Sequence, residues 1–276
     1  VTRNPGSASP TIEQQQEQLL QELQPWIYRS DSEVDALPFN DPTSPQSLAL
    51  EWLLNDTIAL SENGVTTKVL ERYALAVFYY STDGPNWKEN VNFLSESVTC
   101  AWNNGLIRRN DTDSEYLVGA YCDSVQSVDF IQIIHGGLDG TLPWELSLLS
   151  DLYFLRLDSN SLFGTIPTEL ARLSVLNNLN LANNSLTGTL PTVLGELAAL
   201  DEFVMSGNNF GGTIPTEFGR WTKITFIGLD QNHLTGTIPS ELTALSGLQS
   251  LEVDTNLLTG TVPTEMGSLT ALTWLD

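Results

Sequence analysis

The sequence predicts an α/β solenoid, and three observations carry that prediction. A Gly-Thr-aliphatic-Pro tetrapeptide recurs six times at a spacing of 24 residues, at Gly140, Gly164, Gly188, Gly212, Gly236 and Gly260. Two apolar spacings coexist inside every period, one suited to a strand and one to a helical turn. An asparagine returns to one slot, as Asn160, Asn184, Asn208, Asn232 and Asn256. A fixed period in the twenties marks stacked supersecondary units, and such stacks carry their function on one repeated face.

Residues 1–44 are rich in Pro, Ser, Gln, Asp and Glu and read as a stalk or linker. Glu13 to Gln24 could form a short amphipathic helix, which would pack on a partner or on the cap. The composition changes at residue 45. Pro45 suits the first turn of a helix over Gln46 to Leu54. A second helix is predicted from Val65 to Tyr80, where Val69, Leu70, Tyr73, Leu75, Ala76, Val77 and Tyr80 give a broad apolar face. Cys100 and Cys122, the only cysteines, flank a polar stretch ahead of the repeats. A bridge between them would staple a cap over the open end of the solenoid; two reduced core thiols are the alternative. The chain therefore divides into 1–44, a helical cap region at 45–124 and repeats over 125–276.

Within a unit the elements follow one another in fixed order. Leu155 and Leu157 alternate with Phe154, Arg156 and Asp158, a short strand with one face inward. An amide at Asn160 can satisfy backbone groups of the next turn; in the first unit Gly136 fills that slot, and its turn must be satisfied differently. After Pro167 the apolar spacing widens to Leu170 and Leu173, which suits a 3₁₀ turn on the opposite side. Each unit holds about eight aliphatic positions, too many to bury alone, so neighbours must stack. Burying each stabilises by roughly 1.5–3 kcal/mol.

These residues are those of the leucine-rich repeat. The run Thr235-Gly236-Thr237-Ile238-Pro239 resembles the plant-type subclass found in receptor ectodomains and polygalacturonase inhibitors, over about residues 85–276. That resemblance implies a right-handed superhelical arc with a parallel sheet on its concave side and a further strand near each Gly-Thr-Ile-Pro element. Asn86-Trp87, Cys100-Ala101-Trp102 and Cys122-Asp123 look like the N-terminal cap of such proteins. The run from Arg72 to Trp87 is similar to the pre-repeat segment of leucine-rich-repeat proteins abundant in diatoms. Many of those look like single-pass membrane proteins, with the spanning helix before this segment.

Eleven basic against thirty-four acidic residues give a net charge of −23. Such a surface repels nucleic acid and anionic headgroups, which argues against binding to either; it suits basic partners, calcium-rich surroundings, or solubility alone. Sequons begin at Asn55, Asn110 and Asn183, and Asn183 falls at the end of a concave strand. With the candidate bridge they favour a secreted or cell-surface glycoprotein. No stretch of about 18 apolar residues occurs, so no segment here spans a membrane, which leaves an anchor outside the chain open. There is no initiator Met or leader, and the beat stops inside a seventh strand at Asp276. We expect a fragment, a processed form or the ordered part of something longer.

Outward strand residues form columns. The first runs Phe130, Phe154, Asn178, Glu202, Phe226, Ser250 and Trp274; the second Gln132, Arg156, Asn180, Val204, Gly228 and Glu252. A third contains Ile134, Asp158, Ala182, Ser206, Asp230 and Asp254. Exposed rings mark contact surfaces, and the carboxylates beside them suit a basic peptide or a sugar. His135 and His233 are far apart in the repeat frame, and the alternation Asp111, Asp113, Glu115 reads as a solvated loop before a calcium site. We expect no catalysis, cofactor or metal. The sequence points to a recognition module that binds a protein, peptide or glycan on its concave face. A structural or adhesive matrix protein that associates with itself is the alternative.

Overall fold

The computed structural model describes residues 10–27, 41–62, 64–88, 92–108 and 115–276. Four helices build the N-terminal part: α1 (Ile12–Ile27), α2 (Pro45–Leu54), α3 (Thr57–Ser61) and α4 (Thr67–Ser81). Leu19, Leu23 and Ile27 recur every four residues along α1 and are buried with Ala49, Leu53, Ala59 and Val69. Gln16 Nε2 also donates to the Leu54 carbonyl at 2.8 Å, and Glu22 accepts from the Val65 N–H at 3.1 Å. This segment of the stalk or linker region thus lies against the other helices. Ser44 caps α2 with Pro45 in its first turn, and Thr66 caps α4 through the Val69 N–H.

Helix α4 is buried from Val69 to Phe78 because it has two apolar faces to cover. Val69, Leu70, Tyr73, Ala76 and Val77 join the α1–α3 cluster, while Ala74, Leu75 and Phe78 enter the core of the repeats. The helix is therefore the wedge between cap and solenoid. Gly140 sits at its C-terminal end with φ of 146°, where a Cβ would run into the Ser81 carbonyl oxygen. Only glycine lets the first convex strand approach so closely.

Cys100 and Cys122 are joined, with Cα atoms 5.2 Å apart. A hairpin lies between them, where the composition suggests only a polar stretch: β1 (Asn103–Arg108) pairs antiparallel with β2 (Glu115–Cys122). Strand β2 pairs antiparallel again with β3 (Val128–Gln132). From β3 onward the ladder is parallel, through Phe154–Arg156, Asn178–Asn180, Glu202–Val204, Phe226–Gly228, Ser250–Glu252 and Trp274–Leu275. The cap and the repeats thus share one sheet of nine strands.

The convex side follows the expected order. Short parallel strands at Asp139–Thr141, Ser161–Gly164, Ser185–Thr189 and Asn209–Gly211 form a second sheet, and Thr235–Gly236 pairs with Leu257–Leu258. A 3₁₀ turn follows every Gly-Thr-aliphatic-Pro element, from Trp144–Leu148 to Thr264–Ser268. Leucines at the strand and turn positions, such as Leu155, Leu157, Leu170 and Leu173, are fully buried between them.

The recurring asparagines lock one unit to the next. Asn208 donates to the carbonyls of Leu181 and Met205 at 3.0 Å and accepts from the Leu186 N–H at 3.0 Å, so one amide spans adjacent repeats. Asn160, Asn184, Asn232 and Asn256 repeat the pattern. At the first unit the Gly136 carbonyl accepts from the Lys88 N–H at 2.7 Å instead, so the cap satisfies that turn.

Candidate functional site: the concave face

Strand register assembles the face. Parallel pairing places Phe130, Phe154, Asn178, Glu202, Phe226, Ser250 and Trp274 side by side, and Gln132, Arg156, Asn180, Val204, Gly228 and Glu252 in the next column. Neighbouring members are about 4.8 Å apart, the strand spacing. Asp158, Asp230 and Asp254 follow at the strand ends, where their carbonyls accept from the N–H groups of His135, Gly207 and Gln231.

Burial separates these residues. Trp274, on the last strand, is 57% exposed, whereas Phe130, Phe154 and Phe226 are half-buried. Asn180, Arg156, Glu202, Asp230, Glu252 and Asp254 are also partly accessible. Gln132, Asp158, Asn178 and Val204 are covered by their neighbours. Gln132 Nε2 donates to the Leu117 carbonyl at 2.8 Å, and Asp158 accepts from Arg156 Nε at 2.6 Å. A Val204 methyl and the Phe226 ring approach within 3.1 and 3.0 Å of the point where a side chain on Gly228 would begin. That missing side chain lets Phe226 fold over the sheet.

An aromatic group stands at the cap end. Phe130 and Phe154 stack with centroids 4.4 Å apart and planes 8° from parallel. Tyr121, from β2, meets Phe130 edge-on at 5.7 Å. Sequence reasoning missed Tyr121 because it did not identify the hairpin, although the apolar run Leu117, Val118, Ala120, Tyr121 was a usable strand signal.

Toward the other end the face turns acidic. Burial raises the pKa of Glu202, with Arg156 opposing and Asp201 adding to the rise. Burial also raises Glu252, reinforced by Asp230, Asp254 and Asp276 and opposed by a hydrogen bond from Ser250. Oδ1 of Asp230 is buried without a hydrogen-bond partner among the described residues. These are carboxylates short of positive charge. Together the columns offer ring edges, amides and acidic oxygens along an open arc, which is equipment for holding an extended ligand.

Of the three sequons, Asn183 is exposed with φ of 53°. His135, Ser159, Gln231 and Thr255 share that left-handed slot in other repeats, and asparagine suits it conformationally. Asn55 is exposed at the C-cap of α2, its Nδ2 donating to the Glu51 carbonyl at 2.8 Å. Asn110 lies outside the described residues, as do Asp111 and Asp113.

The family model described as Leucine Rich Repeat matches residues 175–197 and 199–221, two consecutive units of this architecture. The chain is a leucine-rich-repeat protein. Among solved structures, the plant peptide hormone receptor RGFR1 in complex with RGF2 is 31% identical, with a TM-score of 0.53 over 53% of this chain and 24% of that one. The Arabidopsis receptor kinase HAESA, in complex with the peptide hormone IDA and the co-receptor SERK1, is 27% identical. Its TM-score is 0.63 over 74% of this leucine-rich-repeat chain and 33% of its own. PEPR1–AtPEP1, at 24% identity and a TM-score of 0.64, shares the fold over 74% of this chain and 27% of that one. The chain thus spans between 24% and 33% of the length of these relatives. None of the curated proteins matches it in sequence. No helix among the described residues is long and apolar enough to cross a membrane.

Proposed function

We propose that the chain is an extracellular recognition module whose concave face binds an extended peptide or a protein segment. The observation that carries this reading is the register of partly accessible side chains, from Phe130 and Phe154 through Glu202 and Phe226 to Glu252 and Trp274, on one side of one sheet. Two of the similar structures, RGFR1 with RGF2 and HAESA with IDA, are complexes with peptides, which supports a peptide before a glycan. Ring geometry supports the same choice. The faces of Phe130 and Phe154 are turned to each other, so the pair offers a ligand ring edges and the one remaining face of Phe154, a narrow contact that suits single side chains of a peptide.

In this reading residues 45–124 are the cap, 125–276 the recognition arc, and Asn55, Asn110 and Asn183 carry glycans of a secreted or surface protein. The function is binding without catalysis. Peptides selected from a random displayed library on the full chain test it. Phe154→Ala and Phe226→Ala should each weaken the selected peptides at least ten-fold while the thermal midpoint hardly moves. Unchanged affinity in both variants would sink the proposal.

A further inference from the structure

One acceptor on the concave face has no donor. Asn178 is 7% exposed, and its Oδ1 has no hydrogen-bond partner among the described residues. Its Nδ2 donates to Glu202 Oε2, which fixes the orientation of the amide and leaves Oδ1 as the open acceptor. Leaving a buried carbonyl oxygen unpaired costs about 1–3 kcal/mol, so a donor arriving from outside would complete the group.

The neighbours define what that donor must be. Glu202, one strand further on, is a half-buried carboxylate whose burial raises its pKa. Arg156, the cation whose field reaches it, is committed to Asp158 at 2.6 Å. Phe154, one strand back, has one ring face stacked on Phe130 and the other turned toward the column position of Asn178. A carboxylate, an amide oxygen and a ring face therefore stand on three successive strands within about 10 Å.

We propose that Phe154, Asn178 and Glu202 form a subsite for a guanidinium group, the arginine side chain of a peptide lying across the concave face. This rests on the concave-face reading above and narrows it. A guanidinium donates from several edges of one plane, so it can serve the Glu202 carboxylate and Asn178 Oδ1 together while its plane lies on the Phe154 ring. An ammonium satisfies the charge but offers no plane to stack and no fork to share. The chain's net charge of −23 draws a cationic segment toward the face.

Acetyl-arginine amide and acetyl-citrulline amide are the probes, since citrulline keeps the shape and most donors but lacks the charge. Each is titrated into the full chain at fixed ionic strength, with the Asn178 side-chain amide followed by NMR. The arginine probe should bind saturably and at least ten-fold more tightly than the citrulline probe. That preference should disappear in Glu202→Gln, and Phe154→Leu should weaken the arginine probe several-fold at an unchanged thermal midpoint. Equal binding of both probes, a non-saturating response, or full affinity in Glu202→Gln overturns the subsite. Displayed peptides keep the two proposals apart. Selected peptides that fail on Phe226→Ala yet show no arginine enrichment and no loss on Glu202→Gln would remove the subsite and leave the face.

Discussion

Arg72 and Asp56 form a buried, two-point ion pair between α4 and the start of α3. Nε and Nη2 of the guanidinium donate to the two carboxylate oxygens at 2.5 and 2.9 Å, and both side chains are almost wholly enclosed. Trp102 lies 4.8 Å from the guanidinium carbon and Trp52 5.1 Å, so the cation rests in the corner where these two rings meet edge to face. Asp56 also caps α3 through the N–H groups of Ile58 and Ala59.

Breaking this pair from one side leaves an uncompensated charge in the cap. Arg72→Met should destabilise the chain by roughly 3–5 kcal/mol, and Asp56→Ala by as much, because it also removes a helix cap. Urea denaturation of the full chain checks both. The double variant should be less destabilised than the sum of the two single changes, since neither charge is then stranded.

Glu71 sets a pH dependence. Its side chain is 1% exposed; Oε1 accepts from the Val128 N–H at 3.1 Å, and Oε2 has no partner among the described residues. Burial pushes its pKa up to about 7, against the Val128 hydrogen bond; Asp151 and Asp123 add to the rise and Lys68 opposes it. The folded state thus holds this proton more tightly than the unfolded chain, whose carboxyl titrates near 4.5. Its contribution is fully present below pH 4.5 and is lost as pH rises through 7, at most ~3 kcal/mol. Melting curves between pH 4.5 and 8 should show a decline that Glu71→Gln flattens.

Asn208→Ala should cost about 3 kcal/mol, because it strands two carbonyls and one N–H that the buried amide now satisfies. Hydrogen exchange should quicken in the repeats on both sides of the substitution. Loss of protection in a single unit would contradict the cross-repeat role of the amide.

Removing the bridge with Cys100→Ser and Cys122→Ser should lower stability by roughly 2–5 kcal/mol. Limited proteolysis should then cut first in the cap, near the β1–β2 hairpin. Unchanged cleavage with and without the bridge would show that the hairpin is held by its strand pairing alone.

The repeats were legible because each unit says the same thing: Leu155, Asn160, Gly164 and Pro167 recur at equal intervals, and repetition removes ambiguity from a weak local signal. The columns of the concave face followed from the same beat. The cap had no such redundancy. α3 is too short to show a period, and its main signal was one capping aspartate, Asp56. The hairpin was hidden because a polar stretch separates its two strands and no repeat reinforces their pattern. Burial within the face was also hidden. Asn178 and Val204 occupy outward positions like Phe154, and only the size and direction of neighbouring side chains decide which of them water reaches.

The antiparallel return of β2 onto β3 gives the arc a fixed zero mark. Every later strand adds about 4.8 Å in the same direction, so position along the face is counted from the hairpin. Duplication of one 24-residue unit, anywhere among the regular repeats, would lengthen the scale without redrawing the marks nearer the cap. In evolutionary terms the molecule is a ruler whose length is free to change and whose origin is not.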